Sequence, residues 1–351
     1  MPPLPIPLVR WTMNDLASGE FEGLALSRGV GMRLLPGAAE GVVVGPVTAV
    51  PSGFVEAIVS WQAQAPGSTQ LEIGLRAEID GHWSRWWTMG LWSSDPSYRG
   101  SVTDQQDADG TVETDTLVLE RPAQALQWRV VFRSAWEGQS PLLSGIAVML
   151  TPPESQPVND RMRVVEPLMV PEISQMQTPG GAGWCSAVSL TMVLRYWYER
   201  TRAERLKPFM ASDAVERLTA PGVNDPVWGG TGNWAFNTAF AGSLGLEAYV
   251  ARFASLAELA RWVASGVPVI ASIAFGPGEL DDTPSGFERS AGHLVVVVGF
   301  GDRGDVIVND PRANPGLGES VRRVYARQQF KQAWQSRSRG TVYLIYPRRH
   351  G

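Results

Sequence analysis

The amino-acid sequence predicts two domains, an N-terminal all-β sandwich and a C-terminal α+β domain. At 351 residues, the chain is longer than a single hydrophobic core usually supports. Its first half alternates apolar and polar side chains with the period of a β-strand, whereas its second half mixes helical periods with short β-branched runs. A proline-rich stretch that has neither period separates the two halves.

Residues 1–150 form the first predicted domain. The stretch "QLEIGLRAEI" places five apolar side chains on one face of a strand: Leu71, Ile73, Leu75, Ala77 and Ile79. The stretch "LQWRVVFRSA" repeats the pattern with Leu126, Trp128, Val130 and Phe132. Turn clusters such as "QAPGST" and "DADGTV" separate the runs at the intervals of a sandwich or jelly roll. We therefore predict a jelly-roll-like β-sandwich with one buried and one wet face on each sheet.

Residues 151–171, "TPPESQPVNDRMRVVEPLMVP", contain five prolines and no clear periodicity. Such sequence is typical of a linker between domains. The second domain is accordingly predicted to span residues 172–351.

The second domain reads as a leading helix followed by several strands. Apolar residues recur at helical spacing after residue 185, and Ser255 with Glu258 forms a capping box for a helix that stops at Gly266. Five β-branched runs are predicted strands: "VPVIASIAF", "HLVVVVGF", "DVIVND", "SVRRVY" and "GTVYLIY". The pattern predicts an α+β layout.

Composition narrows the classes of function. No apolar run reaches the roughly 18 residues that a membrane span needs. The net charge of −5 and the pI near 5.4 argue against nucleic acid or an anionic membrane as a partner. A single cysteine excludes an internal disulfide framework and multi-thiolate metal sites, and we expect no cofactor. The N-terminal residues do not read as a signal peptide, although a leader could have been removed, so localisation stays open.

The single cysteine, Cys185, lies where a glycine-rich turn meets a helical pattern, in "GGAGWCSAVSLTMVLRYW". A helix N-terminus lowers the pKa of a thiol because its unpaired N–H groups and its dipole favour the thiolate. The flanking glycines let backbone amides approach a reacting carbonyl group. The position suits a nucleophile, although a lone cysteine is more often a small core residue.

A thiol nucleophile needs a base, and the chain has three histidines. His82 lies in the Trp-rich β half and His350 is the next-to-last residue. That leaves His293, at the start of a strong predicted strand in "SAGHLVVVVGF". The order of cysteine and then histidine, the latter about a hundred residues downstream, suits papain-like chemistry.

The third member of the site follows from strand pairing. The stretch "HLVVVVGFGDRGDVIVNDP" is predicted to form an antiparallel hairpin around its "GDRG" turn. With the turn centred on the Asp-Arg pair, Asp310 falls opposite Val295, diagonal to His293 on the same face. A one-residue slip would favour Asn309 instead. The carboxylate of Asp310 would orient the imidazole and stabilise its protonated form.

Each of these residues also has a plain structural interpretation: a core cysteine, a structural histidine and a turn. The three together, in this order and on these elements, favour a catalytic set. A zinc site built from the same residues is a poorer alternative because the short ligand spacings typical of zinc are missing.

Three motifs, "VPEISQMQTPGGAGWCSAVSLTMVLRYW", "AGHLVVVVGF" and "VIVNDP", together resemble the C39-like peptidases, a bacterial branch of the papain-like cysteine peptidases. The resemblance covers residues 165–350 and implies a papain-like fold and a peptide or protein substrate. It implies these roles: Cys185 as nucleophile, His293 as base, Asp310 as orienting residue, and Gln175 as oxyanion-hole donor, with Gln177 as its rival.

The sequence departs from the family pattern after the cysteine, where Ser186 and Ala187 replace the common Gly or Ser-Pro. The double-glycine leader substrates of transporter-linked members do not carry over, since nothing here resembles a transporter. The stretch "DPVWGGTGNWAFNTAFAG" resembles stand-alone, secreted members. Asn233 is expected to cap the following helix. The candidate substrate-binding residues are Trp184, Trp228 and Trp234, although tryptophans as often only pack.

The β half resembles accessory modules that precede bacterial hydrolase domains. Four tryptophans in "GHWSRWWTMGLW" could contact a glycan or the cell wall, but core packing is the favoured interpretation: Trp83, Trp86, Trp87 and Trp92. The main prediction is a thiol hydrolase of peptide or amide bonds. Two alternatives stay open: a thiol acyltransferase, and a catalytically inactive papain-like binding protein.

Overall fold

The computed structural model describes five segments of the chain: residues 1–4, 7–27, 29–136, 138–154 and 163–348. Part of the predicted linker, residues 155–162, lies outside the described residues, and so does His350. Within the described segments, no helix is both long and apolar enough to span a membrane.

The described residues of the first half form strands, connecting turns and two short 3₁₀ helices, Leu16–Ser18 and Pro96–Tyr98. Its described strands are β1 (Leu8–Thr12), β2 (Glu20–Glu22), β3 (Leu24–Ser27), β4 (Gly31–Leu34), β5 (Glu40–Val44), β6 (Thr48–Gln64), β7 (Thr69–Ile79), β8 (His82–Trp83), β9 (Trp87–Trp92), β10 (Gly110–Glu113), β11 (Thr116–Ser134) and β12 (Leu142–Thr151). The prediction of an all-β N-terminal half is confirmed.

The long strand β11 connects the layers of this half. Its residues Thr116–Leu126 pair with β6, while residues Arg129–Arg133 pair with β5 on one side and β7 on the other. The strands therefore form one continuous, barrel-like sheet rather than the two separate sheets of the predicted sandwich. A register shift in β11 between Val118 and Ala125 lets the strand change direction.

The apolar faces predicted by alternation are buried. All nine apolar residues of the two diagnostic stretches lie inside the N-terminal core: Leu71, Ile73, Leu75, Ala77, Ile79, Leu126, Trp128, Val130 and Phe132. Period-2 alternation thus identified the core-facing side of β7 and β11.

The second half contains helices packed on a second sheet. Its helices are α1 (Cys185–Thr201), α2 (Ala220–Val223), α3 (Trp234–Ser243), α4 (Leu256–Ala264) and α5 (Arg327–Ser338). Its strands are β13 (Leu246–Arg252), β14 (Val269–Phe275), β15 (Ser290–Phe300), β16 (Val306–Asn309), β17 (Arg322–Tyr325) and β18 (Thr341–Pro347). The strand order is β13-β18-β14-β15-β16-β17, with every described pair antiparallel.

The predicted elements of this half are present, and three further ones were missed, α2, β13 and α5. Helix α4 begins as expected, because the Ser255 hydroxyl accepts the Glu258 N–H and the Glu258 carboxylate accepts the Ala254 N–H. Strand β13 was missed because nearly all of its residues are buried, so it does not alternate. Helix α5 was missed although Phe330, Ala333 and Trp334 mark its buried stripe.

The two halves share a buried boundary. Helix α3 belongs to the second half of the chain, but Phe236 packs edge-on against Trp61 with 6.2 Å between ring centroids. Its first N–H group, from Trp234, donates a 2.5 Å hydrogen bond to the carboxylate of Asp115 in the first half. One helix therefore completes the core of the N-terminal half and is capped by it.

Strand β6 is buried on both faces at this boundary. From Ala57 to Ala63 its odd-numbered residues enter the N-terminal core, while Ser60 and Gln62 between them meet β13. The Ser60 hydroxyl accepts the Val250 N–H at 2.8 Å, and the Gln62 amide donates to the Ala248 carbonyl at 2.7 Å. These polar groups tolerate burial because they are paired across the boundary.

An ion pair closes the same boundary. The Glu56 carboxylate forms ion pairs with Arg252 and, at 2.8 Å, with Arg339. The side chains of Glu56 and Arg252 are each only 9 % exposed. Charges buried this deeply are stable only while both partners are present.

We predict that Glu56→Ala lowers the free energy of unfolding by about 3 kcal/mol, because Arg252 would be left buried without a carboxylate. Chemical denaturation followed by tryptophan fluorescence measures the change. The control is Glu40→Ala, which breaks a strand-borne ion pair with Arg133 whose side chains are 65 % and 40 % exposed. It should cost less than about 1 kcal/mol. Equal losses in the two variants would contradict a stabilising role for the buried pair.

Candidate active site

Cys185 is the first residue of α1, as the sequence predicts, and its side chain is partly exposed. A tight turn leads into it: the Trp184 N–H donates to the Gly181 carbonyl at 2.9 Å, and Gly183 has a φ of 88° that favours glycine. A Cβ at Gly181 would lie 2.2 Å from the Gln175 carbonyl oxygen, so only glycine allows this close approach. The sequence of the turn thus sets the sulfur at a helix N-terminus.

Beside His293, the hairpin formed by β15 and β16 has the predicted register. Val296 pairs with Asn309 and Val297 with Val308, so Asp310 follows on the face that carries His293. Nearer the turn the register differs by one residue, because Gly299 pairs with Ile307, so the assumed turn centre is wrong and an irregularity in β15 restores the predicted pairing. Nε2 of the His293 imidazole lies 2.8 Å from Oδ1 of Asp310, and the Asn309 amide donates to the Val170 carbonyl at 3.1 Å.

The Asp310 carboxylate is fully buried and receives two further hydrogen bonds. The Tyr325 hydroxyl donates to Oδ2 at 2.6 Å, and the Arg312 N–H donates to Oδ1 at 2.8 Å. Burial alone raises the pKa of Asp310, but the charge of His293 and these hydrogen bonds outweigh it and lower the pKa below its ordinary value. The carboxylate therefore stays ionised beside the imidazole.

The His293 side chain is near enough to Cys185 to act on the pKa of its thiol. Because Nε2 of His293 faces Asp310, Nδ1 is the ring nitrogen left for the sulfur. Burial raises the pKa of Cys185, but hydrogen bonding to His293, its charge and the Leu294 N–H lower it below its ordinary value overall. Burial lowers the pKa of His293, and the charge of Asp310 reverses this and raises it well above its ordinary value. Both shifts favour a thiolate beside an imidazolium.

Phe287 covers the imidazole. Its ring meets the His293 ring edge-to-face with 4.9 Å between centroids, and the Arg312 guanidinium lies 5.2 Å from its centroid. The loop that carries Phe287 is fixed by Glu319, whose carboxylate accepts the N–H of Ser285 at 2.7 Å. The aromatic ring keeps water from the His293–Asp310 hydrogen bond, which strengthens that bond.

The two candidate glutamines differ in burial. Gln175 is buried, and its N–H donates to the Pro311 carbonyl at 2.8 Å, which ties it to the residue after Asp310. Its Oε1 atom is buried without a hydrogen-bond partner among the described residues. Gln177 is exposed. The geometry favours Gln175 over its rival as a group that could face a reacting carbonyl.

The three candidate substrate-binding tryptophans lie in different settings. Trp184 is half-buried, and its indole contacts Gly180 in the turn before the cysteine. Trp228 is 52 % exposed, on the loop between α2 and α3. Trp234 begins α3, with its ring partly buried against the C-terminal core and Asn233 capping the helix as expected. Trp184 and Trp228 are the better placed to meet a ligand.

Most tryptophan side chains of the cluster in the N-terminal half pack against other side chains of that half. Trp87 and Trp92 are buried in the core. The guanidinium of Arg76 lies over the rings of both Trp83 and Trp86, at 4.6 and 4.7 Å. Core packing is confirmed for the two buried rings, and glycan contact stays a prediction.

The other histidine that the structure describes is remote from this site in the sequence and in its contacts. His82 is exposed and lies 3.0 Å from Asp109, within the N-terminal half. Across the described segments, no group of three or more histidine, cysteine or acidic residues is arranged to hold a metal ion.

Sequence reasoning missed Tyr325 and Phe287. Tyr325 reaches Asp310 because β17 pairs with β16, but a long connection precedes β17 and leaves its register open to sequence analysis. Phe287 precedes β15 in an irregular loop, where no periodicity marks its direction. The one signal for Phe287 in the sequence is that an aromatic residue lies shortly before the strand that carries His293.

Comparison with known proteins identifies two family matches. The sequence model of the Peptidase C39 like family matches residues 167–342, which is half of the chain. The Peptidase C39 N-terminal domain matches residues 10–151. The two matches agree with a two-domain layout.

Similar solved structures are distant. A crystal structure assigned to a C39-like peptidase from Bacillus anthracis shares 20 % identity over 54 % of this chain and all of that chain, with a TM-score of 0.35. The xylan-binding module CBM15 shares 17 % identity over 41 % of this chain and 95 % of that chain, with a TM-score of 0.23. We draw no conclusion from likenesses at these scores. No curated protein matches the sequence.

We predict that iodoacetamide alkylates Cys185 with a half-maximal rate at a pH below the ordinary thiol value of about 8.5. His293→Asn should move this midpoint above the ordinary value. Burial raises the pKa of the Cys185 thiol, and the opposing effect of His293 would be lost. Mass spectrometry of the alkylated protein over a pH series gives both midpoints. His82→Asn is the matched control and should leave the midpoint in place. A midpoint that does not respond to His293→Asn would show that the ring and the sulfur do not interact.

We predict that Tyr325→Phe lowers the free energy of unfolding by about 2 kcal/mol, because Oδ2 of the buried Asp310 carboxylate loses a donor. Urea denaturation at neutral pH is the measurement. Tyr98→Phe is the control, since Tyr98 is exposed, and should change stability by less than about 0.5 kcal/mol. If both variants are equally stable, the tyrosine does not support the carboxylate.

Proposed function

The chain belongs to the Peptidase C39 like family, and we propose that it is a cysteine peptidase or amidohydrolase with a papain-like second domain. The observation that carries this proposal is the buried hydrogen bond that orients His293 on Asp310, together with the placement of Cys185 at the start of α1, where His293 lowers the pKa of its thiol. A thiol that begins a helix beside an oriented imidazole is prepared for nucleophilic attack.

In the first half of the proposed reaction, the Cys185 thiolate attacks the carbonyl carbon of a peptide or amide bond. A C–S bond forms and the carbonyl oxygen takes up the negative charge. The tetrahedral intermediate then collapses, the C–N bond breaks, and the His293 imidazolium gives its proton to the leaving amine. The products of this half are a free amine, a thioester on Cys185 and a neutral imidazole.

In the second half, water attacks the thioester. Neutral His293 takes a proton from the water molecule, the C–S bond breaks, and a carboxylic acid leaves. The thiolate and the imidazolium are then restored. Asp310 stays ionised throughout and stabilises the imidazolium in the orientation that both steps need.

We assign the oxyanion hole to the backbone N–H of Cys185 and the side chain of Gln175. The first N–H groups of a helix have no partner within the helix, so that of Cys185 is available. The side-chain amide of Gln175 carries an N–H₂ group that can donate to the oxygen of a reacting carbonyl. Donors fixed before reaction stabilise the developing charge without reorganisation.

The rival hypothesis of a catalytically inactive binding protein is disfavoured by the coupling of the thiol to the imidazole. A merely structural cysteine would have a raised pKa from burial, whereas the pKa of Cys185 is lowered. The proposed substrate is a peptide or protein, with Trp184 and Trp228 on the candidate binding surface.

We predict that Cys185→Ala lowers turnover by at least about 10⁴-fold, because the residues of a catalytic triad act as a unit. Hydrolysis of a peptide library, read by mass spectrometry, is the measurement. Gln175→Ala should lower turnover by about 100-fold through loss of one oxyanion donor. Gln177→Ala is the matched control and should retain nearly full turnover. Wild-type hydrolysis by Cys185→Ala would refute the proposed mechanism, and the reverse order of the two glutamine variants would refute the assigned donor.

A further inference from the structure

The loop between α2 and α3 carries an exposed aromatic side chain that packs against glycine residues. We call residues 224–233 the Trp228 loop. The indole of Trp228 is 52 % exposed, and a Cβ at Gly230 or Gly232 would lie 2.7 or 2.8 Å from its ring atoms. Val227 beside it is also 52 % exposed. The loop therefore presents an apolar surface, in which the Trp228 ring packs directly against Gly230 and Gly232.

The Trp228 loop reaches the turn that carries the candidate nucleophile. The hydroxyl of Thr231 donates a 3.4 Å hydrogen bond to the carbonyl of Gly183, two residues before Cys185. The carbonyl of Thr231 in turn accepts a 2.7 Å hydrogen bond from the amide of Asn237 in α3. The loop is thus fixed on one side to α3 and on the other to the cysteine turn.

A buried carboxylate organises the loop from inside. Asp225 is fully buried, and its Oδ1 atom accepts the N–H groups of Val227 at 3.1 Å and Trp228 at 3.2 Å. Its Oδ2 atom accepts from the Asn233 amide at 2.9 Å. The main chain closes the loop, because the Asp225 N–H donates to the Gly230 carbonyl at 2.8 Å. The backbone of Trp228 depends directly on this one side chain.

The N-terminal half holds the same loop. The Ser101 N–H donates to Oδ1 of Asp225 at 3.1 Å. The side chain of Arg99 is buried. Its guanidinium donates hydrogen bonds to three carbonyls at the start of the loop, those of Pro221 at 2.5 Å, Gly222 and Asn224. A guanidinium suits this cluster because its fork of donors satisfies several carbonyls at the end of a helix.

We propose that the N-terminal domain sets the substrate preference of the C-terminal site, because Arg99 and Ser101 hold the Trp228 loop where its indole binds an apolar side chain of the peptide substrate. This inference rests on the proposed function and extends it to a substrate class and to a role for the first domain. Trp228 contacts the substrate, whereas Arg99 and Asp225 are positioning residues. Removal of Arg99 leaves four carbonyls without this donor, that of Ser93 and those of Pro221, Gly222 and Asn224, and the loop must shift to pair its own carbonyls with water.

The test uses two chloromethyl ketones that alkylate Cys185, in which the thiolate displaces chloride. One carries a benzyloxycarbonyl-phenylalanyl group and the other the matching aspartyl group. Each rate constant is divided by that of iodoacetamide on the same variant, so that changes in thiolate reactivity cancel. We expect the full-length wild-type protein to prefer the phenylalanyl reagent by about tenfold, the value of burying one aromatic side chain in part.

Trp228→Ala should remove most of this preference. Arg99→Gln and Asp225→Asn should reduce it to a similar extent, although neither residue touches the reagent. The double variant Arg99→Gln with Trp228→Ala should lose no more than Trp228→Ala alone, since both changes act through one contact. Arg121→Gln, which alters an exposed arginine of the same domain, is the control and should keep the preference. Arg99→Lys, which keeps the charge but not the fork of donors, serves if Arg99→Gln does not fold.

The outcomes separate the claims. Preference retained by Trp228→Ala would overturn the role of the loop. Preference lost in Trp228→Ala but retained in Arg99→Gln, or in Arg99→Lys if Arg99→Gln does not fold, would overturn the role of the N-terminal domain. No labelling of Cys185 by any of the three reagents would refute the proposed function and this inference with it. Loss in all three single variants with retention in Arg121→Gln would support the proposal.

Discussion

The hydrogen bond between His293 and Asp310 is the interaction on which the candidate site depends. It exists only in one register of the β15–β16 hairpin, because a shift by one residue would turn Asp310 to the opposite face. The neighbouring elements hold that register in place. Tyr325 on β17 and the Arg312 N–H both donate to the Asp310 carboxylate. Helix α1 is fixed to β15 by the Ser189 hydroxyl, which donates to the Leu294 carbonyl at 3.0 Å, so the sulfur follows the same strand.

The N-terminal half is joined to the second half through buried polar contacts. The even-numbered face of β6 would meet water in an isolated sheet, but here Glu56, Ser60 and Gln62 all find partners in the second half. Phe236 of α3 completes the N-terminal core. Such a boundary couples the stability of the two halves, since separating them would leave the polar groups of β6 and β13 without their partners. The family match to both parts of the chain fits a unit that works as a whole.

Sequence patterns predicted the features that depend on local chemistry. Alternation located the buried faces of β7 and β11, the Gly-rich turn located the start of α1, and the hairpin turn located Asp310 relative to His293. Contacts between distant segments escaped prediction, because they depend on packing that no local period records. Tyr325, Phe287 and the pairing of β6 with β13 are of this kind. Alternation also predicted a wet face for the strands of the first half, and β6 differs because a second domain covers its polar side. The linker and the boundaries at residues 150 and 172 stay predictions.

Asp310 and the sulfur of Cys185 together should keep the His293 imidazole protonated. This state can be measured by ¹⁵N NMR of His293 in wild-type protein and in Cys185→Ala over a pH series. We predict that both ring nitrogens of wild-type His293 stay protonated well above the ordinary histidine pKa of about 6.5. In Cys185→Ala the titration should move to lower pH, since hydrogen bonding to the sulfur and its charge raise the pKa of His293. A wild-type ring that titrates at the ordinary pH, unchanged by Cys185→Ala, would show that neither group acts on the imidazole.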